Sequence, residues 1–352
     1  MRVLLLCTDA YGGHGGIALY NRDLARALAS RDDCDEVMVV PRVMRTATGD
    51  IPPKVTFVAD AARGPVHYLR ALARAKRSRP DLVICGHVNL LPVACMLASR
   101  PLLMIYGIEA WKRVHRPVAD RFLRRCRAVI SISEITRDRF LQWSRYPGAT
   151  FLLPNAIHTE EYGIRPPRPD LVARYGLEGK RVLLTVGRLA EGERYKGFDE
   201  VLEILGQLPD DVVYLIAGGG NDATRLQQKA AALGLAQRVI FTGLFPEEEK
   251  ADLYALADLY VMPSRGEGFG FVFLEALASG VPAIGSKHDG GREALLGGEL
   301  GLLVDPSNPA EIAAAIREVL ARGRSRTIPS NLAHFSFERF VERLNAIVDE
   351  CS

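Results

Sequence analysis

The sequence predicts an α/β protein built from two doubly wound parallel sheets facing a common cleft. Three observations carry that expectation. Short runs rich in Val, Ile and Leu alternate with helical patterns at residues 3–7, 37–40, 82–85, 102–106 and 129–132, and again at 182–186, 213–217, 239–242, 259–262 and 283–285. These runs are continuously apolar, which marks strands covered by helices on both faces. Between the two series lies segment 154–169, where Pro154, Pro166, Pro167 and Pro169 suit neither helix nor sheet.

The organisation expected is a first sheet domain at 1–155, a linker at 156–169, a second sheet domain at 170–335, and a C-terminal helix at 336–352 able to pack back on the first domain. A chain of 352 residues is long enough for two cores. Hydrophobic content of 48% and charged content of 25% fit a globular protein in water. No apolar run reaches the roughly 18 to 20 residues that span a bilayer, and the opening apolar run is broken by Asp9 before it could serve as a signal core. A cytoplasmic location is therefore expected.

Cys7, Cys34, Cys85, Cys95, Cys126 and Cys351 show no CxxC pair and no zinc spacing, so no metal is expected. Asp33-Cys34-Asp35 reads as a solvated turn. The net charge of +3 is unevenly spread: residues 1–155 hold 24 Lys/Arg against 13 Asp/Glu, and the remainder 21 against 29. Such asymmetry suggests a basic face used against something anionic.

Taken in order, the first strand runs into Tyr11-Gly12-Gly13-His14-Gly15-Gly16 and then a helical pattern at 17–30. Glycines at a strand-to-helix junction let backbone approach a phosphate or sugar without Cβ obstruction. The spacing is not GxGxxG, and the second strand ends at Pro41-Arg42 with no acidic residue, which counts against a dinucleotide site. His87 ends the third run and Tyr106-Gly107-Ile108-Glu109 follows the fourth. Lys112, Arg113, Arg116, Arg121, Arg124, Arg125 and Arg127 then form a basic cluster, partly on a helix expected at 117–127, that suits an anionic membrane surface.

In the second series the opening strand ends at Gly187-Arg188, and Lys196-Gly197 precedes a helix. Two cations at a strand end suit a diphosphate, Arg188 as a fork and Lys196 as a point charge. Gly218-Gly219-Gly220 is another strand-end turn. Glu267 and Glu275 bracket Gly268-Phe269-Gly270 at the head of a helix expected at 271–279. Free N–H groups at such a terminus receive anions or sugar oxygens. Taken alone, the pair equally suits a cap at Glu267 and a favourable first-turn charge at Glu275.

Together these residues resemble glycosyltransferase family 4, retaining enzymes of the GT-B fold, in which two Rossmann-like domains face a cleft and a nucleotide sugar is the donor. The likeness covers nearly the whole chain and includes Leu153-Pro154-Asn155. It implies that Arg188 and Lys196 hold the donor diphosphate and that Glu275 accepts bonds from the ribose. Glu267 would face the transferred sugar, helped by backbone at Phe269 and Gly270. Gly15 and Gly16 would close over the phosphates, with Gly219 near the same site and the base held near Phe245. His87 would lie beside the reacting carbon. Tyr106 stands where the family more often has histidine, leaving Glu109 to orient donor or acceptor.

The activity implied is transfer of a hexose from a nucleoside diphosphate sugar to an acceptor hydroxyl with retention, in polysaccharide or lipid-linked glycan assembly. It needs no cofactor or metal and no nucleic-acid partner. In the cytoplasm, the basic cluster suits a peripheral place at the inner face of the membrane, or else a solvated basic face or a contact with the acidic second half. A nucleotide-sugar epimerase on the same fold and a catalytically silent nucleotide-binding partner subunit are the alternatives.

Overall fold

The structure is a computed structural model that describes residues 1–13, 15–45, 49–112, 121–324 and 326–351. It divides into two compact units, Met1–Ala156 with Phe337–Ser352, and Ile157–Ser336.

The first unit holds strands β1 (Arg2–Cys7), β2 (Glu36–Pro41), β3 (Val55–Phe57), β4 (Leu82–Cys85), β5 (Leu102–Ile105), β6 (Ala128–Ser131) and β7 (Ala149–Leu152). They form one parallel sheet in the order β3-β2-β1-β4-β5-β6-β7. The second unit holds β8 (Arg181–Val186), β9 (Val212–Ala217), β10 (Val239–Gly243), β11 (Leu259–Val261), β12 (Ala283–Ser286) and β13 (Leu302–Val304), in the order β10-β9-β8-β11-β12-β13, also parallel. Both sheets are doubly wound. On one face of the first sheet Leu4, Leu6, Val83 and Leu103 pack with Leu72, Leu91 and Phe140 from its helices. In the second sheet Leu183, Tyr214, Ile216 and Ile284 meet Val201, Leu205, Ile312 and Ile316.

Three strands have no counterpart in the apolar runs: β3, β7 and β13. Each is an edge strand, and each is only partly buried. A strand covered on fewer sides needs no continuous apolar run, and Thr56 and Thr150 interrupt it in β3 and β7; β13 is apolar throughout, so this reason does not extend to it.

The segment expected as a linker is part of the second unit from Ile157 onward. Ile157 bridges Ser336 and donates its N–H to the Phe335 carbonyl at 2.8 Å. Pro169, expected to resist helix, opens the helix Pro169–Tyr175, where its fixed φ and missing N–H cost nothing. Of the basic cluster, Arg113 and Arg116 lie outside the described residues, as do positions 117–120 of the helix expected at 117–127. Arg121 and Arg124 are exposed, and Arg125 donates to the Cys95 carbonyl at 3.1 Å. All six cysteines are buried and unpaired. Among the described residues no helix is long and apolar enough to cross a membrane.

Helix Phe337–Glu350 returns to the first unit and lies along helix Gly16–Ala29. Its buried positions, Phe340, Leu344, Ile347 and Val348, follow the spacing of one helical face. The Phe340 ring meets Tyr20 edge to face at 5.5 Å, and Arg31 pairs with Asp349 at 2.7 Å.

Phe340→Ala removes a ring that is 1% exposed and is expected to destabilise the first unit by about 3–5 kcal/mol. Both tryptophans, Trp111 and Trp143, lie in that unit, so urea unfolding followed by their fluorescence reads it selectively. An unchanged midpoint would mean the helix contributes nothing to the unit's stability.

Candidate functional site

In each sheet the chain winds outward in opposite directions from two neighbouring strands, β1 and β4 in the first, β8 and β11 in the second. Loops leaving the carboxyl ends of such a pair diverge, and the crevice between them is where ligands of doubly wound sheets bind. Of the sequence-predicted residues, Gly15, Gly16 and His87 follow β1 and β4, and Arg188, Lys196 and Glu267 follow β8 and β11, at these switch points.

In the second unit, β8 ends at Gly187 and Arg188, and β9 ends at the Gly218–Gly220 turn. A Cβ on Gly218 would stand 2.0 Å from the Gly187 carbonyl oxygen, and one on Gly220 2.1 Å from that of Leu189. Only glycine lets these two loops lie backbone on backbone. The loop after β8 continues as a tight turn, Glu191–Lys196, held in place by Arg194, whose guanidinium bonds the buried Asp222 carboxylate at 2.7 Å and 3.0 Å. Arg225 also binds Asp222 and holds its carboxyl below the usual range despite burial. Gly197 then caps helix Phe198–Leu205 in the left-handed region, φ 86°.

Lys196 points from this turn to Glu267, Nζ to Oε2 3.2 Å, with Glu193 at 3.7 Å. Its side chain is 15% exposed. Burial works against its charge, but Glu267, Tyr195 and Glu193 outweigh burial and raise its pKa. Arg188, largely exposed, pairs with the other oxygen of Glu193. The two cations expected to bind a diphosphate are thus brought together, with Glu267 beside Lys196.

Glu267 follows β11, and helix Phe271–Ala278 begins after Gly270, φ 98°. No side chain caps that helix, so the reading of Glu267 as its cap does not hold; its carboxylate turns to Lys196 instead. Nor does Glu275 supply first-turn charge. It is 1% exposed, one oxygen taking Lys250 Nζ at 2.6 Å and the other the Tyr254 hydroxyl at 2.7 Å. Glu275 in turn raises the pKa of Lys250 against the effect of burial. Phe269 is buried edge to face on Phe335, whereas Phe245 is half-buried on the loop after β10, beside the exposed Leu244.

In the first unit, Gly15 and Gly16 are exposed at the head of helix Gly16–Ala29, and no atom lies within 4 Å of where a Cβ on Gly15 would stand. His14, in the same loop, is outside the described residues. His87 follows β4 and accepts the Asn89 N–H on Nδ1 at 3.0 Å. Burial lowers its pKa, with Glu109 opposing. The ring is then neutral near pH 7 with its proton on Nε2, a donor. Tyr106 is buried, its hydroxyl donating to Asn21 Oδ1 at 2.6 Å, and Asn21 in turn donates to the Asp9 carbonyl at 2.8 Å, under the glycine loop. Glu109 turns back on its own chain, Oε1 accepting the Tyr106 and Gly107 N–H groups at 2.5 Å and 3.1 Å.

Two residues went unread in the sequence. Glu193 was one. The other is Asp289, 2% exposed, which accepts Ser264 Oγ at 2.7 Å, the Glu267 N–H at 2.9 Å and the Gly291 N–H at 3.0 Å. It ties the loop after β12 to the loop carrying Glu267. The signal available was an Asp followed by Gly290-Gly291 just past a strand, where an Asp turn leaves a carboxylate fixed on backbone.

Burial raises the Asp289 carboxyl from its ordinary 3.8 to about 6, Glu267 adding to the rise while Ser264 and the two N–H groups oppose it. A carboxyl whose folded pKa lies above its unfolded value stabilises the fold fully below the unfolded value, and that stability is lost as pH rises through the folded one. From pH 4 to pH 7 the parent is therefore expected to lose up to about 3 kcal/mol relative to Asp289→Asn, which cannot titrate. Thermal melts of both proteins by circular dichroism across that range check this; a pH-independent difference would assign the titration elsewhere.

Comparison with known proteins places this geometry. Residues 168–333 match the family model described as glycosyl transferases group 1, and residues 14–161 the model of glycosyltransferase family 4. The D-inositol 3-phosphate glycosyltransferase of Geodermatophilus obscurus is 35% identical over 392 aligned residues, covering 95% of this chain and 84% of the relative. The GDP-mannose-dependent alpha-(1-6)-phosphatidylinositol monomannoside mannosyltransferase of Mycolicibacterium smegmatis is 34% identical over 246 residues, 64% of this chain and 62% of the relative, so the match spans less than two thirds of that enzyme. Two solved structures share the fold over 99% of this chain: sucrose-phosphate synthase from Thermosynechococcus elongatus, with TM-score 0.78, 21% identity and 98% of its chain covered, and Anabaena HepE in complex with UDP and glucose, with 0.76, 23% and 100%. With two parallel α/β units, matches to the family along both, and a relative at 35% identity over most of its length, the chain belongs to glycosyltransferase family 4 and has the GT-B fold.

Proposed function

We propose that this protein is a retaining hexosyltransferase that takes its sugar from a nucleoside diphosphate and needs no metal. The observation that carries the reading is the convergence of Arg188 and Lys196 with Glu267 at the switch point of the second sheet. Two cations there neutralise a diphosphate as it departs, and fixed charges cost no reorganisation at the moment of reaction. The relatives, a mannosyltransferase using GDP-mannose and an inositol phosphate glycosyltransferase, support the class.

In this reading the acceptor hydroxyl attacks from the face that the diphosphate leaves, and the leaving phosphate oxygen takes its proton. The carbon–oxygen bond to phosphate breaks as the bond to the acceptor forms. Glu267 and the backbone of Phe269 and Gly270 hold the transferred sugar, and Glu275, enclosed with both oxygens bonded to Lys250 and Tyr254, receives the ribose once one of these gives way. Backbone near Gly219 and Phe245 holds phosphate and base, and the exposed Gly15 and Gly16 of the first unit offer backbone to phosphate oxygens. His87 donates Nε2–H to a sugar oxygen in the transition state, and Glu109 fixes the turn at Tyr106 and Gly107.

A lipid-linked acceptor is supported by the phosphatidylinositol monomannoside mannosyltransferase, and exposed Arg121 and Arg124 would then favour an anionic membrane surface. A small soluble phosphorylated acceptor is favoured by the inositol phosphate glycosyltransferase, which matches over far more of the chain. Turnover with one acceptor class and not the other, together with salt-reversible or absent sedimentation with anionic vesicles, decides between them.

Arg188→Ala and Lys196→Ala are each expected to weaken nucleoside diphosphate binding by about 1.5–3 kcal/mol while leaving nucleoside binding nearly unchanged. His87→Ala should instead lower kcat with little change in donor affinity, the mark of an interaction made in the transition state. Calorimetry and steady-state kinetics read both, and unchanged diphosphate affinity in the first two variants would remove those residues from the site.

With the diphosphate charge assigned to side chains, activity is expected to persist in EDTA. Loss of turnover that magnesium or manganese restores would show that the cation pair does not carry that charge.

A further inference from the structure

We propose that Glu193 is the positioning residue of the donor site: it holds Arg188 and Lys196 together in the empty protein, and a diphosphate displaces it. The proposal rests on the reading of those two cations as the diphosphate site. Glu193 spans them, one carboxylate oxygen on Arg188 and the other 3.7 Å from Lys196 Nζ. A diphosphate presents the same pattern, two anionic groups sharing one bridge.

The backbone keeps this carboxylate in place. At φ −119°, ψ 24°, Glu193 breaks the helical turn Glu191–Lys196. The turn is tied on both sides, by Glu191 N–H to Asn221 Oδ1 at 3.0 Å, by Arg194 to Asp222, and by Arg265 N–H to the Tyr195 carbonyl at 2.8 Å. The Glu193 side chain is 16% exposed, whereas the Arg188 side chain is 72% exposed. An arginine that open to water has many rotamers of similar energy, and the carboxylate confines it to the one facing Lys196.

Charge balance states when Glu193 must leave. Arg188, Lys196, Glu193 and Glu267 together are neutral. A nucleoside diphosphate sugar brings two negative charges, which face two carboxylates as well as two cations unless one carboxylate withdraws. Glu267 makes the shorter contact with Lys196, 3.2 Å against 3.7 Å, and is carried on a loop fixed by Asp289, so Glu193 is the one able to withdraw. A ligand that reaches both cations compensates for losing Glu193, while one that reaches a single cation does not. Glu193 thereby selects diphosphates over monophosphates.

The test uses the full chain, with inorganic pyrophosphate and orthophosphate as probes by calorimetry. Glu193→Gln should bind pyrophosphate about tenfold more tightly, the size of one competing charge-assisted contact. Orthophosphate should gain more than pyrophosphate, narrowing the preference, and Glu193→Asp should keep the parental values. A residue that merely supports the turn would weaken binding when changed, so a rise shows that the carboxylate occupies the place the diphosphate takes. Unchanged or weaker pyrophosphate binding in Glu193→Gln, with a parental circular dichroism spectrum and melting temperature, overturns the proposal for Glu193. Pyrophosphate affinity that survives both Arg188→Ala and Lys196→Ala overturns the donor-site reading itself.

Discussion

Backbone lying directly on backbone at the carboxyl edge of the second sheet is the constraint from which the candidate site follows. The glycines after β9 bring that loop directly onto the carbonyls of Gly187 and Leu189 after β8, on either side of Arg188. Across the switch point the same device recurs: a Cβ on Gly290 would stand 2.2 Å from the Gly268 oxygen. Neither loop is regular secondary structure, yet each is held by main chain against main chain, which has no rotamers to lose. Charged side chains rooted on such loops are pre-organised at small entropic cost.

Buried charge is managed by local pairing. Glu267 has Lys196 and Glu275 has Lys250, and Asp222 has Arg194 and Arg225. Pairs of this kind contribute little net stability against the cost of desolvating them, but losing one member leaves the other uncompensated. They therefore specify arrangement more than they add stability. Asp289 differs, since its donors are a hydroxyl and two backbone N–H groups with no cation among its bonded partners, and its carboxyl rises accordingly.

What was legible in the sequence follows the same physics. Central strands announced themselves because two covered faces demand an unbroken apolar run, and the partly buried edge strands at 55–57 and 149–152 did not, their runs being interrupted by Thr56 and Thr150. Arg188, Lys196 and Glu267 could be singled out because strand ends in a doubly wound sheet converge at one edge whatever the loops between. Glu193 and Asp289 were missed because their importance lies in partners: Asp289 matters through an N–H 22 positions away, and Glu193 through two cations on either side of a turn whose shape local propensity does not report. Tyr106 shows the converse. Its position drew notice, but only its bond to Asn21 reveals a buried post beneath the glycine loop.

The return of residues 337–351 to the first unit bears on how the protein is made. The second unit, Ile157–Ser336, is one unbroken stretch of chain, whereas the first is interrupted by it. On the ribosome the second unit has all its residues before the first has its last helix, reversing the usual N-terminal-first order of domain completion. Until then the face of helix Gly16–Ala29 that Phe340 covers stands open, a greasy surface waiting through some 180 residues of synthesis. At about 5–20 residues per second that is an interval of roughly ten to forty seconds, long enough for a chaperone to occupy the gap.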